Sequence, residues 1–85
     1  MKEFRYTIKD AVGIHARPAG LLVKEAKKFE SKITVSRDSK TAEATKLMAL
    51  MGLAVKCGQE VCVQVTGPDE EQACEAMKKF FEENL

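Results

Sequence analysis

Three short segments of this chain alternate apolar and polar residues one by one, and no other feature of it limits the fold as strongly. Phe4, Tyr6 and Ile8 alternate with Glu3, Arg5, Thr7 and Lys9; Ile33 and Val35 alternate with Lys32, Thr34 and Ser36; Val61, Val63 and Val65 alternate with Cys62, Gln64 and Thr66. Successive side chains of a β-strand point to opposite faces, so each segment predicts a strand with one face to bury and one to leave in water. Strands of that kind suit an antiparallel sheet covered on one side only. After the second segment, Arg37-Asp38-Ser39-Lys40 predicts a polar turn and Thr41 to Ala44 a short returning strand, completing a hairpin.

The stretches between them carry helical spacing. Leu21, Leu22, Val23, Ala26 and Phe29 predict a helix from about Ala16 or Pro18 to about Lys28, with Pro18 in the first turn, where its missing N–H is not needed. Lys46 to Val55 is too rich in Leu and Met for a strand of that length and predicts a short helix, with Thr45 as its N-cap and Leu50 and Leu53 toward the core. Gly67-Pro68-Asp69 is a turn whose aspartate is placed to cap a last helix carrying Ala73, Ala76, Met77, Phe80 and Phe81 as its apolar stripe. Glu70 and Glu71 suit that helix's positive end. The order strand, helix, strand, strand, helix, strand, helix predicts an α+β open-faced sandwich: a four-stranded antiparallel sheet with three helices on one face, built as a single domain over residues 1–85.

Composition narrows the function classes. Fourteen basic and thirteen acidic side chains leave a net charge of +1, without the basic footprint that nucleic acid or anionic lipid would need. A chain of 85 residues cannot wall off a deep cavity, so chemistry is expected near the surface and no cofactor is expected. Cys57, Cys62 and Cys74 have no CxxC or CxxH spacing, which argues against a disulfide framework or a metal site and for reduced thiols that pack or are incidentally exposed. Tyr6 falls in the buried phase of its strand. Nowhere do about 18 apolar residues run together, and the first residues hold no apolar signal stretch, so a soluble, cytoplasmic protein without membrane insertion is expected.

The segment Gly13-Ile14-His15-Ala16-Arg17-Pro18 stands apart, because a nucleophile, a cation and a helix start meet there. A helix N-terminus presents unpaired N–H groups and a partial positive charge, which makes a seat for phosphate. The chain's only histidine, His15, would offer a ring-nitrogen lone pair to phosphorus, and Arg17 would fork onto the phosphate oxygens. Gly13 would let the backbone turn tightly and leave the ring accessible. No second histidine and no acidic residue other than Asp10 lies near, so a complete enzyme site is missing. One acceptor group on an exposed platform suits a carrier whose catalytic machinery belongs to its partners.

At these residues the chain closely resembles the HPr family of histidine-containing phosphocarriers, of the bacterial phosphoenolpyruvate-dependent sugar phosphotransferase system. The likeness runs over the whole length and includes Val23-Lys24-Glu25-Ala26-Lys27-Lys28-Phe29, Ile33-Thr34-Val35, Lys40, Leu47-Met48 to Met51 and Gly67-Pro68-Asp69-Glu70. It implies that His15 accepts phosphate through Nδ1 from phosphorylated enzyme I and delivers it to IIA proteins, with Ala16 and Arg17 binding the phosphate. It also implies a monomer whose docking surface includes Gly20, Lys24, Lys27, Leu47, Met48 and Met51; for the lysines the alternative is a merely solvated helix face, and for the last three it is core packing. Methionine suits a surface that must fit several partners. The regulatory serine of many Gram-positive members aligns with Lys46, which has no hydroxyl, so control by HPr kinase/phosphorylase is not expected unless the neighbouring Thr45 substitutes. The second functional class is a regulatory binding module of the same fold, acting on a transcription factor or a metabolic enzyme; such a module could dispense with the histidine.

Overall fold

The computed structural model describes all of residues 1–85. Strand β1 (Lys2–Thr7) is followed by helix α1 (Ala16–Ala26), the hairpin of β2 (Lys32–Arg37) and β3 (Lys40–Glu43), the short helix α2 (Leu47–Gly52), strand β4 (Glu60–Thr66) and helix α3 (Glu70–Asn84). All strand pairs are antiparallel, in the order β1-β4-β2-β3, and the helices lie on one face, as the alternation predicts.

The register explains why one face is dry. Val63 of β4 lies opposite Phe4 of β1 on one side and Val35 of β2 on the other, so apolar residues fall in rows across the sheet. The next row, Arg5, Cys62, Ser36 and Thr41, points to water. Against the dry face the helices bury Ala19, Leu22 and Ala26 from α1, Leu50 from α2, and Ala73, Cys74, Met77, Phe80 and Phe81 from α3. Phe81 anchors this layer, meeting Phe4, Tyr6 and Phe80 edge-on with ring centroids 5.8, 5.6 and 6.2 Å apart. Such aromatic pairs are worth about 0.5–1.5 kcal/mol each beyond their buried area. Tyr6 is only half-buried, because β1 is an edge strand with a single neighbour.

Several expectations are corrected. Ile8 is buried but lies beyond β1, donating its N–H to the Gln59 carbonyl at 3.0 Å. Helix α1 ends at Ala26 rather than near Lys28, and Leu21, expected in its apolar stripe, is 42% exposed. The buried stripe is carried by Ala19, Leu22 and Ala26, three and four residues apart, which turns Leu21 outward. Helix α2 is shorter than predicted because Ala54 adopts φ +53°, a left-handed turn that ends it. Its N-cap is the extended Lys46, not Thr45, and no side chain caps it.

Asp69 is the N-cap residue of α3, yet its carboxylate does not cap that helix. It accepts the N–H groups of Glu30 and Ser31, both at 2.9 Å, and the Ser31 hydroxyl. The tertiary bond wins because Gly67 brings the two loops together: a Cβ there would lie 2.6 Å from Ser31 Cα. The Gly67 N–H is taken up instead by the Glu70 carboxylate at 3.1 Å.

Candidate functional site

The chain enters α1 through a loop that fastens itself on both sides. The Lys9 and Asp10 N–H groups donate to the Leu85 carbonyl, at 2.6 and 2.8 Å, and the Ile14 N–H donates to the Val55 carbonyl at 3.0 Å. Gly13 has φ +84°, and a Cβ on it would sit 2.2 Å from the Val55 oxygen, so only glycine lets the loop approach the segment after α2. The tight turn expected at Gly13 is therefore present; Ile14 after it is buried in the core, and His15 is the first residue to reach the surface.

His15 follows as the N-cap residue of α1, with extended backbone (φ −103°, ψ −172°) and a side chain 39% exposed. Its carbonyl accepts the Ala19 N–H at 3.0 Å, and its ring does not cap the helix. Pro18 has no N–H, and the amides of Ala16 and Arg17 have no acceptor, leaving two donors free beside the imidazole. Arg17 is exposed and makes no ion pair or side-chain hydrogen bond. A lone-pair nucleophile, two free amides and an uncompensated guanidinium thus converge at one helix start. That arrangement can take up a tetrahedral oxyanion on the ring and spread its charge over donors already in place.

A shallow cleft beside the ring is lined by Asp10, Arg17, Leu21 and, from the end of α3, Glu83 and Asn84. The Asp10 carboxylate stands 3.9 Å from Nε2 of His15 and accepts the Val12 N–H at 2.9 Å. Sequence reasoning missed Glu83 and Asn84, since they reach the site only through the packing of α3. Leu21 could have been found from its spacing, one turn on from Arg17 and out of phase with Ala19 and Leu22.

The expected docking residues sort by helix. Lys24 on α1 and Lys27, its C-cap, are exposed without ion pairs, while Lys28 is held by Glu25 at 3.2 Å. Gly20 is half-buried on α1, with open space where a Cβ would lie. On α2, which packs against α1, Leu47, Met48 and Met51 are 39%, 77% and 37% exposed, whereas Leu50 and Leu53 are buried. The open alternative for those three residues, core packing, is thereby answered: they form an apolar surface.

Elsewhere the open face of the sheet holds a broad depression containing Arg5, Arg37, Asp38, Glu60 and Cys62. Its arginines are already neutralised, Arg5 by Glu60 at 3.4 Å and Arg37 by Asp38 at 3.2 Å. Burial, followed by the Glu3 carboxylate, pushes the Cys62 thiol up, away from reactive thiolate. No three His, Cys, Asp or Glu side chains converge as a metal site, and no helix is long and apolar enough to cross a membrane.

A family model described as PTS HPr component phosphorylation site matches residues 2–83. The phosphocarrier protein HPr of Mycoplasma capricolum is 43% identical over 79 residues, covering 93% of this chain and 89% of its own. A solved Mycoplasma histidine-containing phosphocarrier protein superimposes with a TM-score of 0.93 at 40% identity, covering 96% of this chain and 93% of that one. The Bacillus subtilis catabolite repression protein Crh, described as a domain-swapped dimer, superimposes with a TM-score of 0.79 at 35% identity, over 100% and 98% of the two chains.

Proposed function

Since the chain belongs to the HPr phosphocarrier family of the phosphotransferase system, we propose that it carries a phosphoryl group on His15 Nδ1, taken from phosphorylated enzyme I and passed to IIA proteins. One observation supports this above the others: an accessible imidazole at the start of α1, beside the unpaired Ala16 and Arg17 amides and the free Arg17 guanidinium. The lone pair of Nδ1 attacks phosphorus as the bond to the donor's leaving atom breaks. The amides and Arg17 then hold the dianion by charge-assisted hydrogen bonds. Because the site is shallow, a partner can reach the phosphorus from the far side and remove it.

Gly20, Lys24, Lys27, Leu47, Met48 and Met51 form the docking surface in this reading, the lysines steering acidic partners and the apolar residues fitting more than one of them. The protein works as a single cytoplasmic domain over residues 1–85 and as a monomer, its own β1 paired with β4 from Lys2 to Thr7. A regulatory module is the second reading, favoured by the likeness to Crh. The joint presence of His15 and Arg17 at the helix start weighs for the carrier.

Incubation with enzyme I and phosphoenolpyruvate should label the chain with an acid-labile, base-stable phosphate that His15→Ala abolishes. Absence of label, or label surviving in His15→Ala, would refute the relay.

A further inference from the structure

We infer that Asp10 is a positioning residue for phosphoryl transfer, acting through the ring nitrogen that does not take the phosphate. The inference rests on the relay reading above and adds to it how the ring is prepared.

Asp10 is held from three directions. Its Oδ1 accepts the Val12 N–H at 2.9 Å, its carbonyl accepts the Gly13 N–H at 3.1 Å, and its own N–H donates to the Leu85 carbonyl at 2.8 Å. So fixed, Oδ1 faces Nε2 of His15 at 3.9 Å, and no lysine or arginine pairs with this carboxylate. The other charged side chains around the cleft are Arg17 and Glu83.

A carboxylate on the Nε2 side favours the tautomer with its proton on Nε2, which leaves the lone pair on Nδ1. When the Nδ1–P bond forms and the donor's bond to phosphorus breaks, Nε2 keeps its proton and the ring becomes a cation. The Asp10 charge stabilises that cation across the short gap, as an aspartate supports the imidazolium of a hydrolase triad without taking its proton. In the onward step the Nδ1–P electrons return to the ring, the cation becomes neutral imidazole, and the same proton stays on Nε2. Asp10 thus favours uptake of the phosphoryl group and holds the same proton on Nε2 through both steps, without leaving its loop.

The rival role for Asp10 is purely structural, as the acceptor that shapes the loop through Val12. Two variants separate the roles: Asp10→Asn keeps a side-chain oxygen for the Val12 N–H but removes the charge, and Asp10→Ala removes both. At a half-exposed site a unit charge 3.9 Å away is worth about five-fold in rate. In phosphorylation by enzyme I and phosphoenolpyruvate, kcat should fall about five-fold in both variants with KM within two-fold. In the unphosphorylated chain, imidazole 15N shifts should show a smaller Nε2–H population in both.

Asp10→Asn matching the wild type in kcat and in 15N shifts overturns the inference, whether or not Asp10→Ala is impaired. If the wild-type chain accepts no phosphate, the relay reading falls. The 15N comparison needs no phosphate and still decides whether Asp10 governs the ring: equal tautomer populations in wild type and Asp10→Asn reject it.

Discussion

Gly13 and Val55 lie so close that a Cβ on the glycine would stand 2.2 Å from the valine carbonyl oxygen. This approach joins the loop bearing His15 to the segment that follows α2, and the Ile14 N–H fastens it there by donating to the Val55 carbonyl. Gly13→Ala adds a left-handed backbone penalty to this clash, and about 2–4 kcal/mol of stability should be lost. Gly20→Ala is the contrast, because space is open there and the site is inside a helix; it should stabilise by about 0.5–1 kcal/mol. Urea unfolding of both variants checks the pair.

Hydrogen bonds from Ser31, chiefly from its hydroxyl, and from the Glu30 N–H hold the Asp69 carboxyl below its ordinary value of 3.8. A depressed carboxylate adds stability that is fully present above the unfolded-state value and is lost as pH falls through the folded-state value. Asp69→Asn should therefore lower Tm at pH 6, with the gap to wild type closing as the pH is taken below about 4. Thermal unfolding between pH 2 and 7 measures it; a gap that stayed constant would show that charge is not the source.

Ala54 is an exposed, non-glycine residue in the left-handed region, at φ +53°. Ala54→Gly relieves that strain without removing packing, and should stabilise by about 0.5–1 kcal/mol after the entropy added to the unfolded chain. The expected rise in Tm is about 2–8 °C, readable by calorimetry.

Met48 is 77% exposed, and nothing within the chain depends on its burial. Met48→Asp should change folding stability by no more than about 0.5 kcal/mol. It should nevertheless raise KM for a IIA partner about ten-fold, through one charge desolvated in an apolar contact. Unchanged KM would remove α2 from the docking surface.

The layer plan was legible in the order of residues, because a period of two at Phe4/Tyr6, Ile33/Val35 and Val61/Val63/Val65 leaves each strand one face to bury, and a helical period separates them. The site's nucleus was legible too: His15, Ala16, Arg17 and Pro18 are contiguous, so the helix start and its free amides follow from local rules. Tertiary structure alone decided what depends on distant partners. Asp69 abandons its own helix for Ser31, 38 residues away, because folding brings a better set of donors to it than the cap offers. Glu83 reaches the His15 cleft only through the path of α3, and Leu47, Met48 and Met51 are left outside because Leu50 and Leu53 fill the space beneath α2. Periodicity reports which face of an element is apolar; how much of that face the neighbouring elements have room to cover is a property of the assembled core.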